Sequence, residues 1–96
     1  MMTKKTILRI IQDRREEIFE KYGVMKIGLF GSHVRDEADS KSDIDILVEF
    51  KTPNFDNYMD LKFFLEDLFK APVDLVLADN LKPRIKPYIS KEVVYA

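Results

Sequence analysis

GSHVRDEADSKSDIDILV, residues 31–48, is the stretch that decides how the rest of the chain is read. Its Gly31-Ser32 pair follows the apolar run VMKIGLF (residues 24–30), ten residues intervene, and Asp43-Ile44-Asp45 opens a second apolar run reaching Phe50. Side chains alternate along an extended strand. Ile44, Ile46, Val48 and Phe50 therefore take one face, and Asp43, Asp45, Leu47 and Glu49 the other. The two aspartates point the same way, about 7 Å apart by the standard strand rise. Packing gives no reason to put two carboxylates at the mouth of a hydrophobic segment. Metal and phosphate chemistry does.

Working outward, residues 24–30 are short, apolar and bounded by glycines, and read as a first strand in which Gly28 marks a close backbone approach. Residues 31 to about 38 allow a short helix, and residues 39–42 a polar loop. Upstream, Ile7, Leu8, Ile10, Ile11, Ile18, Phe19 and Tyr22 recur at helical spacing, which predicts one amphipathic helix over about Thr6 to Tyr22, closed by Gly23. Downstream, Tyr58, Leu61, Phe64, Leu65, Leu68 and Phe69 predict a second long helix that stops before Pro72. Val73 to Ala78 reads as a third strand carrying Asp74 near its start. The tail, punctuated by Pro83 and Pro87, reads as a short helix or turn whose Tyr88, Ile89, Val93, Val94 and Tyr95 pack internally in preference to meeting a partner.

A helix between strands two and three suits a parallel crossover, which puts both strand starts at one end of the sheet. If strand one is antiparallel to strand two, Gly31-Ser32 arrives at that same end. Gly31, Ser32, Asp43, Asp45 and Asp74 then converge from three places in the sequence.

The bulk numbers narrow the functional classes. With 96 residues the chain has room for one hydrophobic core, hence one domain spanning residues 1–96. A net charge of −1 lacks the footprint of a dedicated nucleic-acid or anionic-membrane binder. The absence of cysteine excludes disulfides and thiolate metal sites and fits a reducing cytoplasm. Lys4 and Lys5 precede an apolar pair, but Arg9 interrupts it and no small-residue cleavage site follows, so no signal peptide is expected. No apolar stretch approaches the roughly 20 residues that span a bilayer.

Mg²⁺ takes oxygen ligands, usually one or two carboxylates with substrate phosphates and water, which Asp43 and Asp45 supply. Asp74 adds a third carboxylate, able to bridge to a second ion or to take a proton from an attacking hydroxyl. Gly31 lets the backbone approach a phosphate, Ser32 adds a hydroxyl, and Arg35 supplies a fork-shaped donor for the outer phosphates. Each part alone has an ordinary explanation: Gly-Ser as a turn, Asp-x-Asp as a solvated strand end, Asp74 as an edge residue. Arg35 could equally pair with Asp36 or Asp39 in solvent. His33, the sole histidine, is assigned a surface role. The joint occurrence is what carries the chemistry.

That joint pattern, Gly31-Ser32-x10-Asp43-x-Asp45 between apolar runs, resembles the signature of the nucleotidyltransferase superfamily related to DNA polymerase β. The wording around it, Arg35 and Ser42-Asp43-Ile44-Asp45-Ile46-Leu47-Val48, is most similar to the minimal, MntA-like nucleotidyltransferases. The resemblance runs from the leading helix to the tail. It implies a small α/β (α+β) fold, a mixed sheet with helices packed on it in the order α-β-α-β-α-β-α. It also implies Gly31 and Ser32 on the nucleotide phosphates with Arg35 and Ser42 beside them, and Mg²⁺, as two ions, on Asp43, Asp45 and Asp74. Asp74 serves there as ligand or base. Such proteins act as antitoxins of type VII HEPN/MNT pairs, moving AMP from ATP onto a tyrosine of a HEPN-domain ribonuclease toxin within a hetero-oligomer.

The expected activity is therefore Mg²⁺-dependent adenylyl transfer to a protein hydroxyl. Two alternatives stand beside it: neutralisation of a toxin by occlusion with a vestigial site, and transfer to a small molecule, which would want a second substrate-binding domain. Direct nucleic-acid binding is not expected, since near-neutral charge argues against a long phosphate-tracking groove.

Overall fold

A computed structural model describes residues 2–39 and 41–96. The leading segment is two helices where one was predicted. Helix α1 (Lys4–Asp13) is capped by Thr3, whose hydroxyl accepts the Thr6 N–H at 3.2 Å, and α2 spans Arg15–Tyr22. Between them Arg14 sits at φ −111°, ψ 10°, and its N–H reaches back to Ile11 O at 3.1 Å, a step of three residues that interrupts the ladder. Ile7 and Ile11 on α1 and Ile18 and Tyr22 on α2 are all buried, so the apolar stripe survives the break. Gly23, at φ +69°, closes α2 as its position suggested.

Strand β1 (Val24–Phe30) leads into a single 3-10 turn at Gly31–His33, and β2 (Ile44–Phe50) follows the polar loop. The short helix expected after Gly31 does not form. Asp36 stands at φ +62°, a left-handed conformation that cannot propagate a right-handed helix. Helix α3 (Phe55–Phe69) starts three residues earlier than the apolar spacing implied, because Asn54 caps it by accepting the Asn57 N–H at 2.8 Å. Then come β3 (Val73–Leu77), α4 (Lys86–Glu92) and β4 (Val94–Tyr95). The tail thus holds a strand as well as the anticipated helix.

The sheet order is β3-β2-β1-β4, with β1 antiparallel to both neighbours and β2 parallel to β3 through the α3 crossover. Its inner face carries Ile27, Leu29, Ile44, Ile46, Val48, Phe50, Val73 and Leu75, buried together with Ile7, Ile11, Ile18, Leu61, Leu65 and Phe69 from the helices. The outer face carries Gly28, Phe30, Asp45, Leu47, Asp74 and Val76. It is covered from the chain's end: a Cβ on Gly28 would sit 2.7 Å from Val93 Cγ2, so only glycine lets the tail lie this close to β1. At the open edge, Tyr58 donates its hydroxyl to Leu75 O at 2.6 Å. No described helix is long and apolar enough to cross a membrane.

Candidate active site

Three chain segments meet where β1 ends and β2 and β3 begin. Phe30 is the register partner of Asp45 across the antiparallel pair, and Asp45 is the partner of Asp74 across the parallel one. Partnered residues share a face, so the Asp45 and Asp74 side chains stand side by side on strands whose backbones run about 4.8 Å apart. Asp43 lies just ahead of β2 and is exposed, as is Asp74, while Asp45 is half-buried. The convergence argued from strand direction is what the sheet displays.

Gly31 is the lid of this arrangement. It stands at φ +80°, and a Cβ there would fall 2.0 Å from Asp45 Oδ2, so no other residue fits the turn as it closes over that carboxylate. Burial pushes the Asp45 carboxyl up to about 6, and the neighbouring charges of Asp74 and Asp43 add to the effect while Arg35 opposes it. A carboxylate half removed from water between two like charges is a group that a cation would stabilise. Among the described residues no three Asp, Glu, His or Cys side chains are already drawn to coordination distance. The donor set itself, hard oxygens facing one edge, fits Mg²⁺.

Gly31 and Arg35 are occupied by a carboxylate from far along the chain. Gly31 N–H donates to Glu92 Oε2 at 3.0 Å, and Arg35 Nη1 to Glu92 Oε1 at 2.5 Å. Arg35 Nε also donates to Glu37 at 3.3 Å, so its partners are these two glutamates instead of Asp36 or Asp39. Glu92 first, then Glu37, hold the guanidinium pKa above its usual value. An oxyanion is therefore bound in the structure by the donors expected to hold phosphate.

Two residues fall elsewhere. Ser42 is not brought to the Gly31 edge: its hydroxyl accepts the Asp39 N–H at 3.0 Å and lines a separate hollow with His33, Phe69 and Ala71. His33 is not a surface residue. It is 6% exposed, Nδ1 finds no hydrogen-bond partner among the described residues, and burial lowers its pKa. The tight 3-10 turn swings it inward. Ser32, half-buried, remains beside Gly31.

Glu92 and Ile85 were missed from the sequence; Tyr88 and Ile89 were expected to pack internally, but Tyr88 and Tyr95 are exposed and only Ile89, Val93 and Val94 are half-buried. Ile85, Tyr88, Ile89 and Glu92 line one cavity of about 630 Å³ with Phe30, Gly31, Arg35 and Asp45. A signal was present, since these positions recur at 85, 88, 89 and 92, one helical stripe.

A small mixed sheet with paired aspartates at its edge and a Gly-Ser turn above them defines a nucleotidyltransferase. The family model described as nucleotidyltransferase domain matches residues 8–96, and the chain belongs to that family. It is 42% identical over 96 residues to the protein adenylyltransferase MntA of Thermococcus cleftensis, covering 99% of this chain and 97% of that one. A solved chain assigned as a minimal nucleotidyltransferase superposes with TM-score 0.74 at 32% identity, covering 91% of this chain and 93% of its own. A chain from the complex of a tri-AMPylated Shewanella oneidensis HEPN toxin with its MNT antitoxin gives TM-score 0.64 at 19% identity, covering 92% and 70%, a likeness of fold alone.

Proposed function

We propose that this nucleotidyltransferase moves AMP from ATP to a tyrosine hydroxyl of a HEPN-domain toxin and acts as its antitoxin. The observation that carries the reading is the register pairing of Asp45 with Asp74 beneath the Gly31 turn. The protein adenylyltransferase relative supports a protein acceptor, and the complex of an AMPylated HEPN toxin with its MNT antitoxin suggests which kind.

Asp43, Asp45 and Asp74 would hold Mg²⁺, which when bound offsets charge on the phosphate oxygens. Gly31, Ser32 and Arg35 hold and orient the triphosphate, displacing the Glu92 carboxylate from its two donors. The tyrosine oxygen attacks the α-phosphorus, the bond to the β-phosphate oxygen breaks, and pyrophosphate leaves. Asp74, exposed at the edge, serves as the third ligand or instead takes the phenolic proton; a group with pKa near 10 needs such activation at neutral pH. Ser42 contributes through the Asp39 turn that precedes Asp43. On this reading the domain is one unit over residues 1–96 and works in the cytoplasm, which supplies ATP.

Incubation with labelled ATP, Mg²⁺ and the product of the neighbouring gene, tested as the HEPN-domain toxin, should label that product, and Asp45→Asn should abolish the label. Absence of label with the intact chain sinks the reading. The bridge from Glu92 to Gly31 and Arg35 favours one alternative, a permanently closed site with neutralisation by occlusion. In that case the Asp43→Asn, Asp45→Asn double variant would still protect cells from the toxin.

A further inference from the structure

Glu92 does more than bridge two donors, because it fixes the orientation of α4. A helix pinned at Glu92 turns the positions three, four and seven residues earlier toward the same side. Those are Ile89, Tyr88 and Ile85, which line the cavity with Gly31, Arg35 and Asp45. The stripe is unusual in its burial. Ile89 is half-buried, but Ile85 is 42% exposed and the Tyr88 ring 75% exposed. An aromatic ring and a branched aliphatic therefore face open space at the rim of a polar site, where they stabilise no core.

We infer that the Ile85–Tyr88–Ile89 face of α4 is the wall on which the base of the nucleoside triphosphate packs, with the Tyr88 ring as its stacking platform. The inference rests on the nucleotide reading above and adds to it the element that recognises the base. Three observations support it. The cavity, about 630 Å³, falls in the range that encloses a small ligand. Its polarity is divided as a nucleotide's is: amide, guanidinium and carboxylate at the Gly31 end, apolar side chains along α4. The oxyanion of Glu92 on Gly31 and Arg35 marks where the phosphate end sits, and Tyr88 stands one helical turn from it. A base attached to a triphosphate held there meets α4 first. Stacking on an aromatic face favours the larger purine ring system over a pyrimidine, so the platform also gives a direction of selectivity.

The test is calorimetric titration of the full chain, in Mg²⁺, with ATP, CTP and inorganic tripolyphosphate, which has the phosphates and no base. Wild type should bind ATP more tightly than CTP. Tyr88→Ala should weaken ATP about tenfold, the usual worth of one stacked base, and leave tripolyphosphate unchanged. Tyr88→Phe should bind ATP as wild type does. Because Tyr88 is largely exposed, its truncation leaves the core intact, which a thermal melt checks. Unchanged ATP affinity in Tyr88→Ala overturns the inference, and if transfer to the partner is lost at the same time, the α4 face is an acceptor-docking surface. Equal weakening of ATP and tripolyphosphate also overturns it, as does an adenylyl mass on the wild-type chain that is missing from Tyr88→Phe. Binding of neither ATP nor tripolyphosphate by wild type removes the nucleotide reading itself, and this inference with it.

Discussion

The two faces of the sheet are built to opposite specifications from the same strands. On the inner face of β2, Ile44, Ile46 and Val48 are at most 1% exposed and lie among side chains from α1, α2 and α3. On the outer face, one residue away along the same strand, Asp45 stands half in solvent among like charges, roofed by Gly31 and by a short C-terminal helix. The contrast teaches that stability and chemistry are separable here by strand parity. Removing a methyl from one face and a charge from the other should have different consequences.

The largest separation is expected at Asp45. Asp45→Asn should lower adenylyl transfer on the order of 10³-fold, measured with labelled ATP, while the thermal melt at neutral pH stays level or rises. The rise follows from removing a charge whose burial and like-charged neighbours work against folding. Ile46→Ala should do the reverse in origin: a loss of about 2–5 kcal/mol in denaturant melts from the cavity left behind, with activity falling only as the folded fraction falls. If Ile46→Ala lost activity while fully folded, the separation of the faces would be wrong.

Gly31→Ala joins the faces and sharpens the comparison. The added methyl meets Asp45 Oδ2 and the φ of +80° is unfavourable for alanine, so about 1 kcal/mol or more of stability should be lost, read by thermal melt. Transfer should fall with it, because the carboxylate has to move.

Acid titration gives a smaller effect with two signs. Asp45, raised to about 6 from an unfolded value of 3.8, binds its proton more readily when folded, so its contribution to stability improves as pH falls through 6 toward 4. His33 is lowered by burial and stays neutral when folded, so its contribution is lost as pH falls below the ordinary 6.5. Melts of Asp45→Asn and of His33→Gln against pH should each remove one of these opposing slopes. Added Mg²⁺ should raise the wild-type melt at pH 7 and leave Asp45→Asn unmoved, since an ion that binds only the folded site stabilises it by mass action.

The legible part of the fold was the part governed by periodicity. β1 and β2 were bounded within a residue because glycines and the Asp43-x-Asp45 pair punctuate them; the parallel β2–β3 pairing followed from the crossover helix, while the antiparallel β1–β2 pairing entered as a condition that the sheet meets. The site's pair, Asp45 with Asp74, was legible for the same reason. The break at Arg14 was not, because no proline or glycine marks it and the buried stripe continues across it. The turn after Gly31 was misjudged since nothing local announces a left-handed Asp36. His33 was put on the surface on residue type, whereas the tight turn decides its direction. The 85, 88, 89, 92 spacing marks the side of α4 that Glu92 shares, but its partner was not legible: Gly31 is 61 residues away, and no local rule reports such a contact.

That distance shapes how the molecule opens. The β1–β2–β3 ladders and the helices beneath them form one cooperative unit, whereas α4 hangs on β4's two-residue pairing and on the Glu92 carboxylate. Native-state amide exchange should therefore find α4 opening at far lower free energy than β2, with Glu92→Ala lowering it further. On that expectation the wall of the proposed site is the first helix to exchange, and a ligand that touches both the Gly31 turn and α4 would be the fastener that slows it.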